Sequence, residues 1–152
     1  MAKSVLITGG AGFIGVNICR ALLAEGHRLS VLDNFSQQVH NTNNGLPLDI
    51  RSHVHLIKED IRNKTAVRQA LNGIDTLIHL AAETGTGQSM YEIERYFSVN
   101  VQGTALLLDV LQNDEVGKNL DTLIVASSRA IYGEGCYQCS GHGTVFPEPR
   151  SL

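Results

Sequence analysis

The amino-acid sequence predicts an α/β fold: a doubly wound parallel sheet with helices on both faces. Short apolar runs alternate along the chain with segments whose apolar residues recur at helical spacing. Glycine, small or polar residues follow each apolar run directly. Strands that alternate with helices form right-handed βαβ units, so the carboxyl ends of the strands, where ligands bind, meet at one edge of the sheet.

The individual elements follow from this pattern in chain order. We expect strands at residues 5–7, 29–32, 53–57, 75–80 and 120–126, and helices at residues 13–24, 65–71 and 90–112. The polar stretch 34–44 is expected to be a loop with one short turn. A chain of 152 residues is long enough for one domain with a substantial core, and a second full domain does not fit.

The first strand leads directly into a glycine-rich turn at residues 8–15. Gly9, Gly12 and Gly15 allow the backbone to turn tightly and to lie close to a pyrophosphate. The start of the helix that follows, at Phe13 and Ile14, presents free N–H groups and the positive end of the helix dipole to that anion. The turn therefore predicts a dinucleotide site.

An acidic residue, Asp33, follows the second strand 18 residues beyond Gly15, the last glycine of the turn. A carboxylate at that distance accepts hydrogen bonds from both ribose hydroxyls and repels a 2′-phosphate. The sequence therefore favours NAD over NADP, with Asn34 as a neighbouring cofactor contact. The alternative is that Asp33 only caps the loop that follows it.

Charge and hydropathy exclude several classes of protein. With 12 basic and 15 acidic residues and no run of lysine or arginine, the chain has no electrostatic footprint for nucleic acid. No apolar stretch approaches the ~18 residues needed to span a membrane, and the N-terminus lacks the apolar region of a secretory signal. Three cysteines suit a reducing compartment. We expect a cytoplasmic protein that binds neither nucleic acid nor membranes.

Further motifs stand where the later strands end. They are Asp60-Ile61, residues 79–82, Asn100 ahead of residues 101–104, and residues 127–133. Together with the glycine turn and Asp33, they resemble the extended short-chain dehydrogenase/reductase family of NAD-dependent sugar-nucleotide epimerases and dehydratases. The resemblance covers nearly all of the chain. It implies that residues 1–152 are a Rossmann-type NAD-binding domain, incomplete at its C-terminal end and without the family's C-terminal substrate domain.

The resemblance also implies roles for individual residues. Asp60 and Ile61 would flank the adenine, and Leu80, Ala81 and Ala82 would line the pyrophosphate and nicotinamide ribose. Ser128 would be the catalytic residue that hydrogen-bonds the substrate hydroxyl being oxidised. Thr84 and Arg129 would contact the substrate, a nucleoside-diphosphate sugar.

The residues after Ser128 bear on the type of reaction. The family's 4,6-dehydratases typically have Asp-Glu at this point, whereas this chain has Arg129-Ala130. The resemblance therefore implies epimerisation at C4 through a transient 4-keto sugar, with dehydration or decarboxylation as the alternative. The runs 82–90 and 128–135 are most similar to the dTDP-L-rhamnose 4-epimerase group.

One element of the family pattern, the Tyr-x-x-x-Lys catalytic base, is missing from the chain. In the family this motif usually stands about 25 residues after the serine, which would place it just beyond Leu152. We therefore expect the chain alone not to turn over. A non-catalytic NAD-binding module and an inert truncated fragment remain alternatives to an enzyme, and residues 90–112 are a candidate homodimer face.

Cys136, Cys139 and His142 have the spacing of a zinc knuckle. Only three ligands are present, and Cys19 lies far away in the first predicted helix, so we expect no metal and a plain loop on the substrate side. His79 and Asn100 are expected to be structural, with Asn100 satisfying a buried backbone group. Two positions stay open: Glu83 either contacts substrate or lies in a solvated loop, and Tyr132 either positions the nicotinamide or fills the cleft wall.

Overall fold

The computed structural model describes residues 1–42 and 45–148, without the side chains of Arg129 and Ala130. Five parallel strands form one sheet in the order β3-β2-β1-β4-β5, with β1 at its centre. This order matches five of the six strands of the Rossmann sheet, which confirms the predicted fold class. The strands are β1 (Ser4–Thr8), β2 (Arg28–Leu32), β3 (Val54–Ile57), β4 (Thr76–His79) and β5 (Thr122–Val125).

Helices cover both faces of this sheet because successive side chains of its strands point in opposite directions. Leu6 of β1 packs on one face with Val67 and Leu107. Its neighbour Ile7 packs on the other face with Cys19. The helices are α1 (Phe13–Ala24), α2 (Gln37–His40), α3 (Lys64–Leu71), α4 (Ile93–Phe97) and α5 (Thr104–Asn113).

The prediction of one long α-helix at residues 90–112 is wrong in detail. A 3₁₀ turn, Gln88–Met90, precedes α4, and a π-helical stretch, Ser98–Gly103, joins α4 to α5. π-Helical turns inside helices are rare and occur frequently at functional sites. Here the stretch carries Asn100, whose side chain is bonded to the loop after β4. Periodicity of apolar residues does not reveal such a change of helix type.

The prediction of a plain loop at residues 136–142 is also wrong. A small antiparallel hairpin forms instead, from β6 (Tyr137–Cys139) and β7 (Gly143–Val145). Each strand has only three residues, which is too short for an alternating pattern to stand out in the sequence.

Strand β5 differs from the other strands in its exposure. Leu123, Ile124 and Val125 are 38%, 49% and 52% exposed, whereas Val5, Leu6 and Ile7 of β1 are almost fully buried. Within the described residues β5 is hydrogen-bonded to β4 alone.

No helix among residues 1–42 and 45–148 combines the length and the apolar character needed to cross a bilayer.

Candidate cofactor and active site

A cavity of about 340 Å³ lies at the carboxyl ends of the strands of the sheet. It contains eleven of the twelve predicted cofactor-binding residues and the predicted substrate residue Thr84. The sequence prediction missed six further lining residues that the structure brings to the same space. The lining consists of Gly9, Gly12, Phe13, Ile14, Gly15, Leu32, Asp33, Asn34, Ser36, Val39, His40, Glu59, Ile61, Leu80, Ala81, Ala82, Glu83, Thr84 and Val99.

At two positions of the turn after β1, other backbone atoms lie so close that only glycine fits. Gly9 has φ of +68°, and a Cβ atom there would lie 2.8 Å from the backbone of Ala81. A Cβ atom at Gly15 would lie 2.5 Å from the backbone of Gly10. Both distances are shorter than any normal carbon contact, so the turn and its packing against the loop after β4 depend on glycine.

The N-terminus of helix α1 borders this cavity. Gly12 is its N-cap, no side chain caps the first turn, and the first turn contains no acidic residue. Such a terminus keeps free N–H groups and a partial positive charge, which favour an anion. Phe13 and Ile14 are 85% and 62% exposed at this point. The geometry fits a pyrophosphate held by backbone rather than by charged side chains.

The Asp33 side chain is buried at the end of β2 and lines the cavity. Its Oδ2 atom accepts a hydrogen bond from the Ala11 N–H at 3.0 Å, and Oδ1 accepts one from the Phe35 N–H at 2.8 Å. The carboxylate therefore stabilises the loop that follows it, as the alternative prediction proposed. Because the carboxylate also lines the cavity, it is still positioned to accept hydrogen bonds from a ribose.

A residue that the sequence analysis did not single out, His40, stands beside Asp33. Its Nε2 atom lies 3.4 Å from Asp33 Oδ1, and its ring packs on Phe35 with ring centres 4.9 Å apart. His40 ends the four-residue helix α2. A helix of one turn leaves no periodic signal, which is why the contribution of Ser36, Val39 and His40 to the cavity was missed.

Asp60 is the one predicted cofactor residue outside the lining of the cavity. Its carboxylate is bonded to the Arg62 guanidinium at 2.8 Å through both oxygens and to the Asn34 amide at 3.1 Å. These bonds, the pair with Arg62 above all, lower the pKa of Asp60 to about 2. Ile61 does line the cavity. The adenine contact of both residues stays a prediction.

His79 lies buried at the end of β4 and connects three elements. Its Nδ1 atom lies 2.6 Å from Thr8 Oγ1, and its Nε2 atom lies 3.0 Å from Thr104 Oγ1. Since Thr104 donates its own proton to the Asn100 carbonyl, His79 must donate from Nε2 and accept at Nδ1. Burial lowers the pKa of His79, in agreement with this neutral tautomer. The predicted structural role is confirmed.

Asn100 fixes the loop after β4 from the π-helical stretch. Its Oδ1 atom accepts the Glu83 N–H at 2.8 Å, and its Nδ2 atom donates to the Glu83 carbonyl at 3.0 Å. The prediction that Asn100 satisfies a buried backbone group is therefore confirmed. The Glu83 carboxylate is buried, not solvated, and pairs with Arg95 at 3.0 Å.

The predicted catalytic residue Ser128 lies just after β5, at the same edge of the sheet as Leu80–Ala82. Its carbonyl accepts a hydrogen bond from the Ile131 N–H at 3.2 Å, within a 3₁₀ turn that ends at Tyr132. Tyr132 is exposed. The side chain of Arg129 lies outside the described part of the structure. The catalytic and substrate roles of Ser128, Thr84 and Arg129 stay predictions.

Comparison with known proteins places these features in a family. Residues 5–151 match the model of the NAD dependent epimerase/dehydratase family. The chain is 39% identical over 150 residues to a dTDP-L-rhamnose 4-epimerase of Burkholderia thailandensis, an alignment that covers 97% of this chain and 40% of the relative. It is 32% identical to a UDP-glucose 4-epimerase of Neisseria meningitidis, covering 87% of this chain and 38% of that protein.

A solved structure shows the same fold. The UDP-glucose 4-epimerase of Stenotrophomonas maltophila, crystallised with NAD and formylated UDP-arabinopyranose, superposes with a TM-score of 0.71 and 26% identity. That alignment covers 86% of this chain and 38% of that one. The chain thus spans about two fifths of the length of these relatives. On the match over residues 5–151, the chain belongs to the NAD dependent epimerase/dehydratase family, with NAD as its cofactor.

Proposed function

We propose that NAD binds in the cavity with its pyrophosphate on the first turn of α1 and its adenosine ribose at Asp33. The uncapped N-terminus of α1 and the close approach of Gly9 to Ala81 support this position of the pyrophosphate. The buried, backbone-anchored carboxylate of Asp33 supports the position of the ribose and a preference for NAD over NADP.

We further propose that the protein to which this chain belongs is a cytoplasmic sugar-nucleotide 4-epimerase. NAD would supply reversible hydride chemistry, accepting hydride from C4 of the sugar and returning it to the opposite face of the 4-keto sugar. Ser128 would hydrogen-bond the sugar hydroxyl, and Thr84 and Arg129 would contact the substrate. The similarity to two 4-epimerases supports this activity, and Arg129-Ala130 in place of Asp-Glu argues against dehydration.

The observation that carries the proposal is the convergence of the glycine turn, Asp33 and residues 80–84 on one cavity. Residues 1–152 would be the dinucleotide-binding part of the enzyme. These residues contain no Tyr-x-x-x-Lys motif. A phenolate beside a lysine is what removes the hydroxyl proton in such chemistry. We therefore expect the chain alone to bind NAD without catalysing epimerisation.

Two assays of the purified chain test the proposal. Calorimetric titration with NAD and NADP measures cofactor binding, and Ser128→Ala serves as a control that leaves NAD binding intact. Incubation with NAD and dTDP- or UDP-sugars, followed by chromatography of the sugars, measures epimerisation. Binding of NAD without epimerised product is expected. Absence of NAD binding would contradict the cofactor site and favour an inert fragment, and epimerisation at enzyme-like rates would contradict the need for the missing base.

The longer protein distinguishes an enzyme from a binding module. A chain extended to the length of the relatives is expected to epimerise a nucleoside-diphosphate sugar and to lose most activity in the Ser128→Ala variant. NAD binding with no activity toward any sugar nucleotide would favour a non-catalytic module.

We also propose that the protein forms a homodimer through the outer face of residues 93–108. Ile93, Phe97, Val101 and Leu108 in these helical turns are all between 46% and 68% exposed. Several large exposed apolar side chains on neighbouring turns are typical of an interaction site. Light scattering is expected to show a dimer that Phe97→Glu converts to a monomer, and a monomeric wild-type chain would contradict the proposal.

A further inference from the structure

The β6–β7 hairpin stands apart from the cavity, since none of its described residues belongs to the cavity lining. At its tip the Sγ atom of Cys139 lies 3.3 Å from the Nδ1 atom of His142. Thiolate sulfur and imidazole nitrogen are the ligands that zinc prefers in structural sites. The pair therefore has the chemistry of a metal site as well as that of a hydrogen bond.

The separation of the two atoms also fits zinc. With a Zn–S bond of about 2.3 Å and a Zn–N bond of about 2.0–2.1 Å, tetrahedral geometry places sulfur and nitrogen roughly 3.6 Å apart. The observed distance of 3.3 Å differs from this value by a few tenths of an ångström. The two atoms are therefore close to the separation that a shared zinc ion requires.

The backbone of the hairpin keeps the pair together. Cys139 is the last residue of β6 and pairs across the hairpin with Gly143, so the turn consists of the three residues between them. Gly143 follows His142 directly and has φ of +70°, a conformation that glycine adopts readily. The order Cys-x-x-His-Gly thus produces a tight turn in which both ligands face the same space.

We infer that Cys139 and His142 are two of the four ligands of a tetrahedral zinc site whose other two ligands come from outside the hairpin. Cys136 does not supply the third ligand in this conformation. It precedes Cys139 by three residues of nearly extended chain, a span of roughly 10 Å. No cluster of three or more metal-binding side chains exists among residues 1–42 and 45–148.

The missing pair of nitrogen or sulfur ligands has two sources. One is the tip of a second hairpin, which would complete a Cys₂His₂ site between two copies of the chain. The other is further polypeptide of the longer protein proposed above, because the relatives are more than twice as long as the part that this chain matches. Both sources use the same two ligands of this hairpin, so a single set of variants tests the inference.

The experiment is titration of the reduced chain with Co²⁺, which replaces zinc and reports thiolate ligation by a charge-transfer band. The expected result is such a band in the wild type, its loss in Cys139→Ser, its loss or strong weakening in His142→Gln, and its retention in Cys136→Ser. Cys19 does not compete, because burial raises the pKa of its thiol to about 11. Zn²⁺ added to the Co²⁺ complex is expected to displace the cobalt.

Stoichiometry distinguishes the two sources of ligands. One metal per two chains, with metal-dependent doubling of the mass in light scattering, identifies the second hairpin. One metal per chain, bound weakly and without a change of mass, indicates completion by water in this chain and by further protein ligands in the longer protein.

Other outcomes overturn the inference. The absence of a charge-transfer band at millimolar Co²⁺, or a band that survives Cys139→Ser, would show that the Cys139–His142 contact is only a hydrogen bond of the turn. Circular dichroism and NAD binding of each variant check that the domain remains folded, since the hairpin lies away from the cavity.

Discussion

Asp33 Oδ2 accepts a hydrogen bond from the backbone N–H of Ala11 at 3.0 Å, so the carboxylate after β2 is bonded directly to the glycine turn after β1. One side chain thus links the proposed ribose and pyrophosphate positions. A substitution at Asp33 is expected to affect both cofactor selectivity and the conformation of the turn.

The variant Asp33→Asn removes the charge that repels a 2′-phosphate. It keeps an acceptor for only one of the two backbone N–H groups, those of Ala11 and Phe35, so thermal unfolding of the variant is measured beside cofactor selectivity. We expect the preference for NAD over NADP to fall about tenfold or more, equivalent to about 1.4 kcal/mol, in calorimetric titrations with both cofactors. An unchanged ratio of the two dissociation constants would show that Asp33 does not discriminate between the riboses of NAD and NADP.

Gly15→Ala tests the packing of the glycine turn. The added Cβ atom would lie 2.5 Å from the backbone of Gly10, which cannot move aside as a flexible side chain would. Overpacking of this kind typically costs about 1–3 kcal/mol, and each kcal/mol lowers the melting temperature by roughly 2–4 °C in a domain of this size. Gly87→Ala is the matched control, because a Cβ atom there meets nothing within 4 Å. Equal melting temperatures for the two variants would contradict the geometry of the turn.

His79 makes the stability of the domain sensitive to mild acid. Burial lowers the pKa of His79 in the folded state. As the pH falls, His79 is therefore protonated in the unfolded chain, at its ordinary pKa of about 6.5, before it is protonated in the folded domain. The stabilising contribution is therefore complete above that pH and is lost as the pH falls toward the folded-state pKa, by at most ~1.4 kcal/mol per pH unit. Urea unfolding between pH 7.5 and 5.5 measures this slope, and His79→Gln is expected to be less stable at pH 7.5 but to show a shallower slope. An identical slope in the variant would assign the pH dependence to other groups.

The Asp60–Arg62 pair contributes at lower pH. The folded-state pKa of about 2 is below the usual value, so the contribution is complete above about pH 4 and is lost as the pH falls toward 2. Since both side chains are partly exposed, we expect the pair to stabilise the fold by roughly 0.2–1 kcal/mol. A double-mutant cycle with Asp60→Asn and Arg62→Gln, measured by urea unfolding at pH 7, gives the coupling energy. A coupling near zero would mean that solvent screens the pair completely.

The sequence predicted the parts of the fold that depend on long, regular patterns. The buried run in β1, the glycine turn and the helical spacing in α1 gave the correct elements, and Asp33 was correctly placed at the end of β2. Parallel strands place their carboxyl ends together, which brings the glycine turn, Asp33 and the residues after β4 to one edge of the sheet. The cofactor roles of Ile61 and of residues 80–82 were predicted from the family resemblance.

The remaining features depend on contacts between residues distant in sequence. His40 lines the cavity from a helix of only four residues. Asp60 lies outside the lining and is hydrogen-bonded to Arg62 and Asn34 instead. The burial of Glu83 depends on Arg95, which lies on α4, and on Asn100 in the π-helical stretch. Local sequence patterns do not predict these pairings. Each of these polar side chains could equally lie in a solvated loop, and only the folded structure shows its partner.

The exposure of β5 has a consequence for the synthesis of the protein. In a nascent chain that has emerged through residue 125, we expect an apolar strand that is partly exposed on both faces, with one backbone edge that has no strand beside it in the described sheet. Such an edge pairs readily with strands of other chains, so this stage of translation is prone to aggregation. Chaperones that bind extended apolar segments are expected to engage the nascent protein at residues 122–125, and to release it once the strand is covered.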